Sequence, residues 1–88
     1  MTNNPNSKLE QIAVNTIINE IQIITISNII YLRSDNRNTI INLKNSKKVF
    51  ASKNIGTYET LLKNNEFLRV HKSYIVNLKH VICIRKNQ

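Results

Sequence analysis

Glycine is nearly absent from this chain of 88 residues, which contains only one. A phosphate-binding loop of the P-loop type needs more than one glycine, so the sequence excludes such a loop. Cysteine also occurs once, which rules out an internal disulfide and gives no sign of secretion. The chain shows no signal peptide and no clean run of the roughly 18 apolar residues that a membrane helix needs. We therefore expect a cytoplasmic protein without a membrane partner.

Acidic residues are scarce, with five Asp and Glu against thirteen Lys and Arg. No two acids are spaced as an acid–base pair, and neither His71 nor His80 has a carboxylate or cysteine at zinc-ligand spacing. A dyad of His71 with the lone Cys83 has no local support, and Cys83 fits better as a small buried hydrophobe in an apolar strand. We expect no enzyme, no catalytic residue, no metal, no cofactor and no small-molecule substrate.

Positive charge is the strongest signal that remains. The formal net charge is +8, and twelve of the thirteen Lys and Arg lie between Arg33 and Lys86. This balance indicates a polyanionic partner, which could be nucleic acid, an anionic membrane surface or an acidic protein. The alternative is a solvated basic face produced by composition alone, because the chain also has fifteen Asn and fifteen Ile, as AT-biased genes favour.

The apolar pattern predicts a mainly β domain with one short helix. β-branched runs bounded by polar turns favour strands, and the doubling at Ile23–Ile24 predicts a bulge or a strand buried on both faces. The apolar spacing becomes helical over about residues 54–63, with Ser52 or Asn54 as the cap. Residues 1–8 are expected to be a disordered lead-in and residues 9–88 a single domain. The predicted strands cover residues 12–14, 16–18, 21–26, 28–33, 39–43, 49–52, 67–71 and 80–85.

Three basic loops interrupt the predicted strands, at residues 33–38, 44–48 and 69–73. The predicted helix carries only Glu59 and Lys63 as charges, so a DNA-reading helix is disfavoured and loops must make any duplex contact. Arg can bind guanine or phosphate with two hydrogen bonds, whereas Lys and Ser hold phosphate. Asn36 and Asn38 could pair with adenine, but Asn in a turn more often serves the backbone.

The stretch FLRVHKSYIVNLKHVICI, which begins at Phe67, resembles the LytTR DNA-binding domain of bacterial response regulators. The hallmark of that family is a phenylalanine, an Arg-x-His-basic-Ser run, an aromatic or apolar pair and then Val-Asn. Upstream, SNIIYLRSDNRNTIINL resembles the strand, loop and strand of the family, and SKNIGTYETLL resembles its single helix. The resemblance covers about residues 9–85. The hallmark positions are Phe67, Arg69, His71, Lys72, Ser73, Tyr74, Ile75, Val76 and Asn77.

The resemblance implies elongated antiparallel β-sheets with one short helix. It also implies loops that enter successive major grooves of double-stranded DNA and a role in transcription regulation. One base-reading site would lie at Arg37 and a second at Lys72. Ser73 would bind phosphate, and His71 would either contact DNA or orient its loop. The implied DNA-binding residues are Asn36, Arg37, Arg69, His71, Lys72 and Ser73.

The hallmark also separates expected core from expected surface. The apolar residues around it are expected in the core, and Asn77, inside IVNL, is expected to be a buried amide with satisfied hydrogen bonds. Lys72 and Ser73 are expected to form an exposed tip. The expected core residues are Leu68, Val70, Ile75, Val76 and Leu78.

The family domain normally continues into a further hairpin, but this sequence ends at Gln88. We expect the last DNA contact and a closing strand to be missing, which would leave an open sheet edge. An open edge favours self-association, such as a homodimer on repeated DNA sites. Two other functions stay open. One is a protein-interaction module that pairs with a full-length regulator through that edge, and the other is RNA or single-strand binding.

Overall fold

Two antiparallel β-sheets and one short helix make up the fold. The structure is a computed structural model and describes residues 8–80. β1 and β2 form a two-stranded sheet, and the other strands form a five-stranded sheet in the order β5-β4-β3-β7-β6. The elements are β1 Gln11–Asn15, β2 Ile21–Thr25, β3 Ile29–Asp35, β4 Asn38–Leu43, β5 Lys48–Ala51, α1 Ile55–Leu61, β6 Phe67–His71 and β7 Tyr74–Asn77. The predicted class, mainly β with one short helix, is confirmed.

A turn joins β1 to β2, where the sequence predicted a strand over residues 16–18. Thr16 makes only an isolated bridge to Ala51, and its N–H donates to the Glu20 carbonyl over 2.8 Å. Asn19 has a φ of 63°, a left-handed conformation that Asn tolerates better than most residues. The predicted strand over residues 16–18 was wrong. These residues are of types that favour strands, but they lie in the turn where the chain reverses direction between β1 and β2.

The Ile23–Ile24 pair marks neither a bulge nor a doubly buried strand. The pairing of β1 with β2 runs in register along the whole length of both strands. Ile24 is buried, whereas Ile23 is 63% exposed on the opposite face. Successive side chains of a strand point to opposite faces, and only one face of this small sheet is covered by the core.

One hydrophobic cluster joins both sheets and α1. Buried and exposed residues alternate along β1 and β5, as expected when one face is buried, whereas β4 is buried on both faces. The cluster packs the five-stranded sheet, whose ends carry the turns, against the small sheet and α1. The buried members are Ile12, Val14, Ile24, Ile26, Ile29, Leu32, Ile41, Val49, Ala51, Ile55, Tyr58, Leu62 and Ile75.

The helix α1 begins where the sequence predicted. The Asn54 side-chain oxygen accepts the Thr57 N–H at 3.0 Å, which satisfies one of the donors at the helix start. Tyr58 and Leu62 are buried, whereas Leu61 is 40% exposed. The helix ends at Leu61 and is therefore shorter than the predicted segment.

The edge strand β6 differs from the prediction in its buried face. Ile75 of the neighbouring strand is buried and Val76 is half-buried, as expected for core residues. Arg69 lies opposite Ile75 and so occupies the core side of β6, together with the partly buried Phe67. Three predicted core residues are instead exposed: Leu68 at 52%, Val70 at 55% and Leu78 at 40%.

Several predictions concern residues outside the described range. The strand predicted over residues 80–85 is described only at His80, which ends a 3-10 turn at Leu78–His80. Cys83 lies outside the described residues. The predicted lead-in is described only at Lys8, whose Nζ lies 3.1 Å from Glu66 Oε1. Within residues 8–80, no helix is long and apolar enough to cross a membrane.

Candidate nucleic-acid interface

Two short turns lie side by side at one end of the five-stranded sheet. Asn36 and Arg37 connect β3 to β4, and Lys72 and Ser73 connect β6 to β7. Because β3 and β7 are antiparallel neighbours, the end of β3 and the start of β7 meet at the same end of the sheet. The structure thus brings together four of the six predicted site residues. We call these four residues the turn edge.

A backbone hydrogen bond ties the two turns together. The Ser34 N–H donates to the Ser73 carbonyl over 2.8 Å. Neighbouring strands lie about 4.8 Å apart, and the turn centres are two strand spacings apart, so they are separated by roughly 10 Å. This spacing is fixed by the sheet and does not depend on the flexibility of a loop.

The β3–β4 turn uses Asn36 for its backbone and presents Arg37. Asn36 has a φ of 56°. A two-residue hairpin of this kind needs a positive φ at its first central residue, and Asn adopts that conformation readily. Arg37 is exposed and makes no hydrogen bond or ion pair within residues 8–80. Asn36 therefore has a structural reason to be present, whereas the Arg37 guanidinium is available for a partner.

The β6–β7 turn presents Lys72 and is held from the side by His71. The Lys72 ammonium is exposed and has no partner among the described residues. The Ser73 N–H donates to His71 Nδ1 at 3.1 Å, so the ring proton in this arrangement is on Nε2. The His71 ring lies 5.9 Å from that of Tyr74. His71 thus orients the turn while its Nε2–H stays available to donate.

Arg69 lies beneath the β6–β7 turn and is engaged at both ends of its guanidinium. Nη1 donates to Glu59 Oε1 at 2.7 Å, and Nη2 donates to the Lys72 carbonyl at 2.5 Å. Its side chain is 28% exposed. Arg69 therefore connects α1 to the backbone of the turn, and its donors face the protein rather than a partner.

The third basic loop lies elsewhere. β4 runs away from the turn edge, so residues 44–48 lie at the opposite end of the sheet. β5 then returns toward the turn edge and brings Lys53 there, where the Thr39 hydroxyl donates to the Lys53 carbonyl over 2.8 Å. Sequence reasoning missed Lys53, although an antiparallel return of β5 would have placed the residue after it at this end.

Asn77 is a structural amide, as predicted. It is 2% exposed, and its Nδ2 donates to the Ile29 carbonyl at 2.8 Å. Its Oδ1 accepts the Lys79 N–H at 3.0 Å. Both ends of the amide are satisfied, so this hallmark residue holds β7 to the start of β3 and does not read a base.

The chemistry of the turn edge is that of a hydrogen-bond donor surface. Arg37, Lys72 and the neighbouring Lys53 are exposed cations, and Asp35 is the exposed acid beside them. Within the described part of the chain, no cluster of three His, Cys, Asp or Glu could hold a metal ion. Such a surface fits an anionic partner rich in acceptors.

Comparisons with known proteins identify the family and the fold of this chain. A family model described as the LytTr DNA-binding domain matches residues 19–88. No curated protein gives a significant match. A similar solved structure is the LytTr DNA-binding domain of a Bacillus cereus protein described as a methyl-accepting/DNA response regulator. The TM-score is 0.72 at 22% identity, over 91% of this chain and 72% of that one, so the likeness shows the fold alone.

Proposed function

The chain belongs to the LytTR family of DNA-binding domains, and from this premise we propose that it regulates transcription by binding specific duplex sites through the turn edge. The family is one of DNA-binding domains and not of enzymes. The observation that carries the proposal is the pair of exposed basic turns tied together at one end of a rigid sheet. Preorganised contacts of this kind reduce the entropy lost on binding.

The free cations of the turn edge divide the recognition between them. Arg37 projects from a tight hairpin and would form two hydrogen bonds to O6 and N7 of a guanine in the major groove. Lys72 would contact a base acceptor or a phosphate in the same groove. The Ser73 hydroxyl, on a residue whose N–H and C=O are already used within the protein, would donate to phosphate.

The spacing of the turns favours a single groove. The major groove is about 12 Å wide, and successive grooves on one face of B-DNA repeat every 34 Å or so. Turn centres roughly 10 Å apart therefore fit within one groove and are too close to enter two. The proposal places both turns in one major groove, and Lys53, beside them at the same end of the sheet, on a flanking phosphate.

Three predicted site residues have supporting roles in this proposal. Asn36 provides the positive φ that the β3–β4 turn requires. His71 orients the β6–β7 turn through its bond to the Ser73 N–H and donates outward from Nε2. Arg69 is a positioning residue, because both of its hydrogen bonds are made to the protein.

The test is fluorescence anisotropy of the purified chain against duplexes selected from a random pool, over a salt series. Arg37→Ala should weaken the selected site by about 1–3 kcal/mol, or about 5- to 150-fold, and relax the preference at one base pair. Lys72→Ala should weaken binding and, if Lys72 contacts phosphate, reduce the salt slope by about 0.9.

The control is Lys44→Ala, which removes the same charge from the opposite end of the sheet and should change affinity little. Equal losses for Lys44→Ala and for both turn-edge variants would overturn the site and indicate a non-specific basic face. A single-stranded competitor is included because Tyr74 is 39% exposed and lies 6.4 Å from the Tyr31 ring. Preferential binding of single strands would overturn the duplex proposal.

A further inference from the structure

Within residues 8–80, strand β2 has an open edge. Among the described residues it pairs only with β1, on one side. The Thr16 N–H bonds to the Glu20 carbonyl and the Ile26 N–H to the Glu10 carbonyl, which fixes the alternation of hydrogen-bonded pairs along the hairpin. In an antiparallel pair, the residues between such pairs direct N–H and C=O away from the partner. Ile21, Ile23 and Thr25 therefore point their backbone groups outward.

The same residues carry apolar side chains in solvent. Ile21 is 68% exposed and Ile23 is 63% exposed, and they lie on one face of the strand. Ala13 lies opposite Ile23 on that face and adds to its apolar surface. Adjacent exposed isoleucines next to unpaired backbone groups form a ready template for another strand.

Charge separates the β1–β2 hairpin from the two outer strands of the five-stranded sheet. Residues 9–32 contain no Lys or Arg, and their only charges are Glu10 and Glu20. Both outer strands of the five-stranded sheet carry charge, as natural edges usually do: Lys48 in β5, and Arg69 in β6. With a net charge of +8, two copies of this chain repel each other over most of their surface. β2 carries no cation of its own, so this repulsion is weaker along β2 than along β5 or β6.

We propose that β2 pairs with β2 of a second copy, antiparallel and about a two-fold axis at Ile23. In this register Ile23 faces its own copy and Ile21 faces Thr25, and the outward backbone groups of these residues pair in about six hydrogen bonds. The two hairpins then form one four-stranded sheet with a continuous apolar strip. Glu20 faces Ile26, so no like charges meet directly across the pairing.

The test is the mass of the chain in solution over a concentration series, by light scattering or sedimentation equilibrium. We expect a shift toward twice the 10.2 kDa of the chain. Ile23→Lys should raise the dimer dissociation constant by at least about tenfold, because two like charges would face each other and two apolar side chains would be lost. The matched control is Val70→Lys, an equal charge change at a residue that is 55% exposed on β6.

A crosslink tests the register itself. In an antiparallel hydrogen-bonded pair the Cα atoms lie about 5.5 Å apart, which is within the range of a disulfide. Ile23→Cys, in a Cys83→Ser background, should form a dimer on mild oxidation, whereas Val70→Cys should not. A monomer at every concentration with no crosslink overturns the proposal, as does equal weakening by both Lys variants.

This inference does not depend on DNA binding, and its failure can be told apart from failure of the turn edge. Ile23→Lys leaves the turn edge untouched and should bind a single duplex site with wild-type affinity. On DNA with two adjacent sites, Ile23→Lys should lose the cooperative binding that we expect of the wild-type dimer. A chain that dimerises but does not bind a single duplex site would count against the DNA proposal. A chain that binds a single site but stays monomeric would count against the dimer.

Discussion

Replacing Arg69 by Met tests whether this residue positions the β6–β7 turn or contacts DNA. Met keeps most of the aliphatic stem and removes the guanidinium, so packing beside Ile75 is largely retained. The hydrogen bonds to Glu59 and to the Lys72 carbonyl are lost. The matched comparison is Lys72→Met, which makes the same change of charge at the exposed tip.

The size of the affinity loss in Arg69→Met depends on the hydrogen bonds that remain in the β6–β7 turn. Releasing two turn residues completely would add about 1–2 kcal/mol each to the ordering cost of binding. The turn keeps the Ser34–Ser73 and His71–Ser73 hydrogen bonds in the variant, so only part of that cost applies. We expect a loss of about 1 kcal/mol, or roughly fivefold in affinity.

The salt dependence distinguishes the two roles. A cation that contacts phosphate releases counterions, and its removal lowers the slope of log K against log salt by about 0.9. If Arg69 only positions the turn, Arg69→Met should leave this slope unchanged, because the guanidinium makes its hydrogen bonds to Glu59 and the Lys72 carbonyl rather than to phosphate. Anisotropy titrations on one selected duplex measure both quantities. A fall in slope equal to that of Lys72→Met would refute the positioning role.

Two further predictions concern stability. Asn77→Ala leaves the buried Ile29 carbonyl without its partner and should lower the free energy of unfolding by about 2–3 kcal/mol in urea titrations; unchanged stability would contradict the structural role. Lys8 and Lys79 hold the pKa of Glu66 below its ordinary value in the folded protein. The contribution of Glu66 to folding stability is therefore present above the pKa of the unfolded state and is lost as pH falls through the pKa of the folded state. The difference in melting temperature between wild type and Glu66→Gln should therefore vanish on acidification, and a difference independent of pH would exclude the charge as its cause.

The sequence predicted the elements well where local chemistry determines them. Asn54 caps α1 and Asn36 sits in a two-residue hairpin turn, and both roles follow from the preferences of Asn alone. The errors arise where β-branched side chains are the only signal. Thr16 to Ile18 and the Ile23–Ile24 pair have strand-forming residues, but whether a segment turns or is covered depends on tertiary partners.

The residues of the candidate site could be proposed from the sequence, but their arrangement could not. The hallmark points to Arg69, His71 and Lys72 as one group, yet Arg69 faces Glu59 on α1, ten positions earlier in the chain. Lys53 lies beside the turn edge only because β5 returns beside β4. Such contacts depend on the order of the strands in the sheet, which the positions of basic residues in the sequence do not reveal.

The part played by α1 explains why turns carry the proposed DNA contacts. The helix has seven residues, and its buried face is held by the core through Tyr58. Its acid, Glu59, would repel phosphate if the helix entered a groove. Bound to Arg69 at 2.7 Å, that acid instead supports the turn that presents Lys72. In the proposed binding mode the helix thus acts behind the turn edge, and recognition is left to the two hairpin turns.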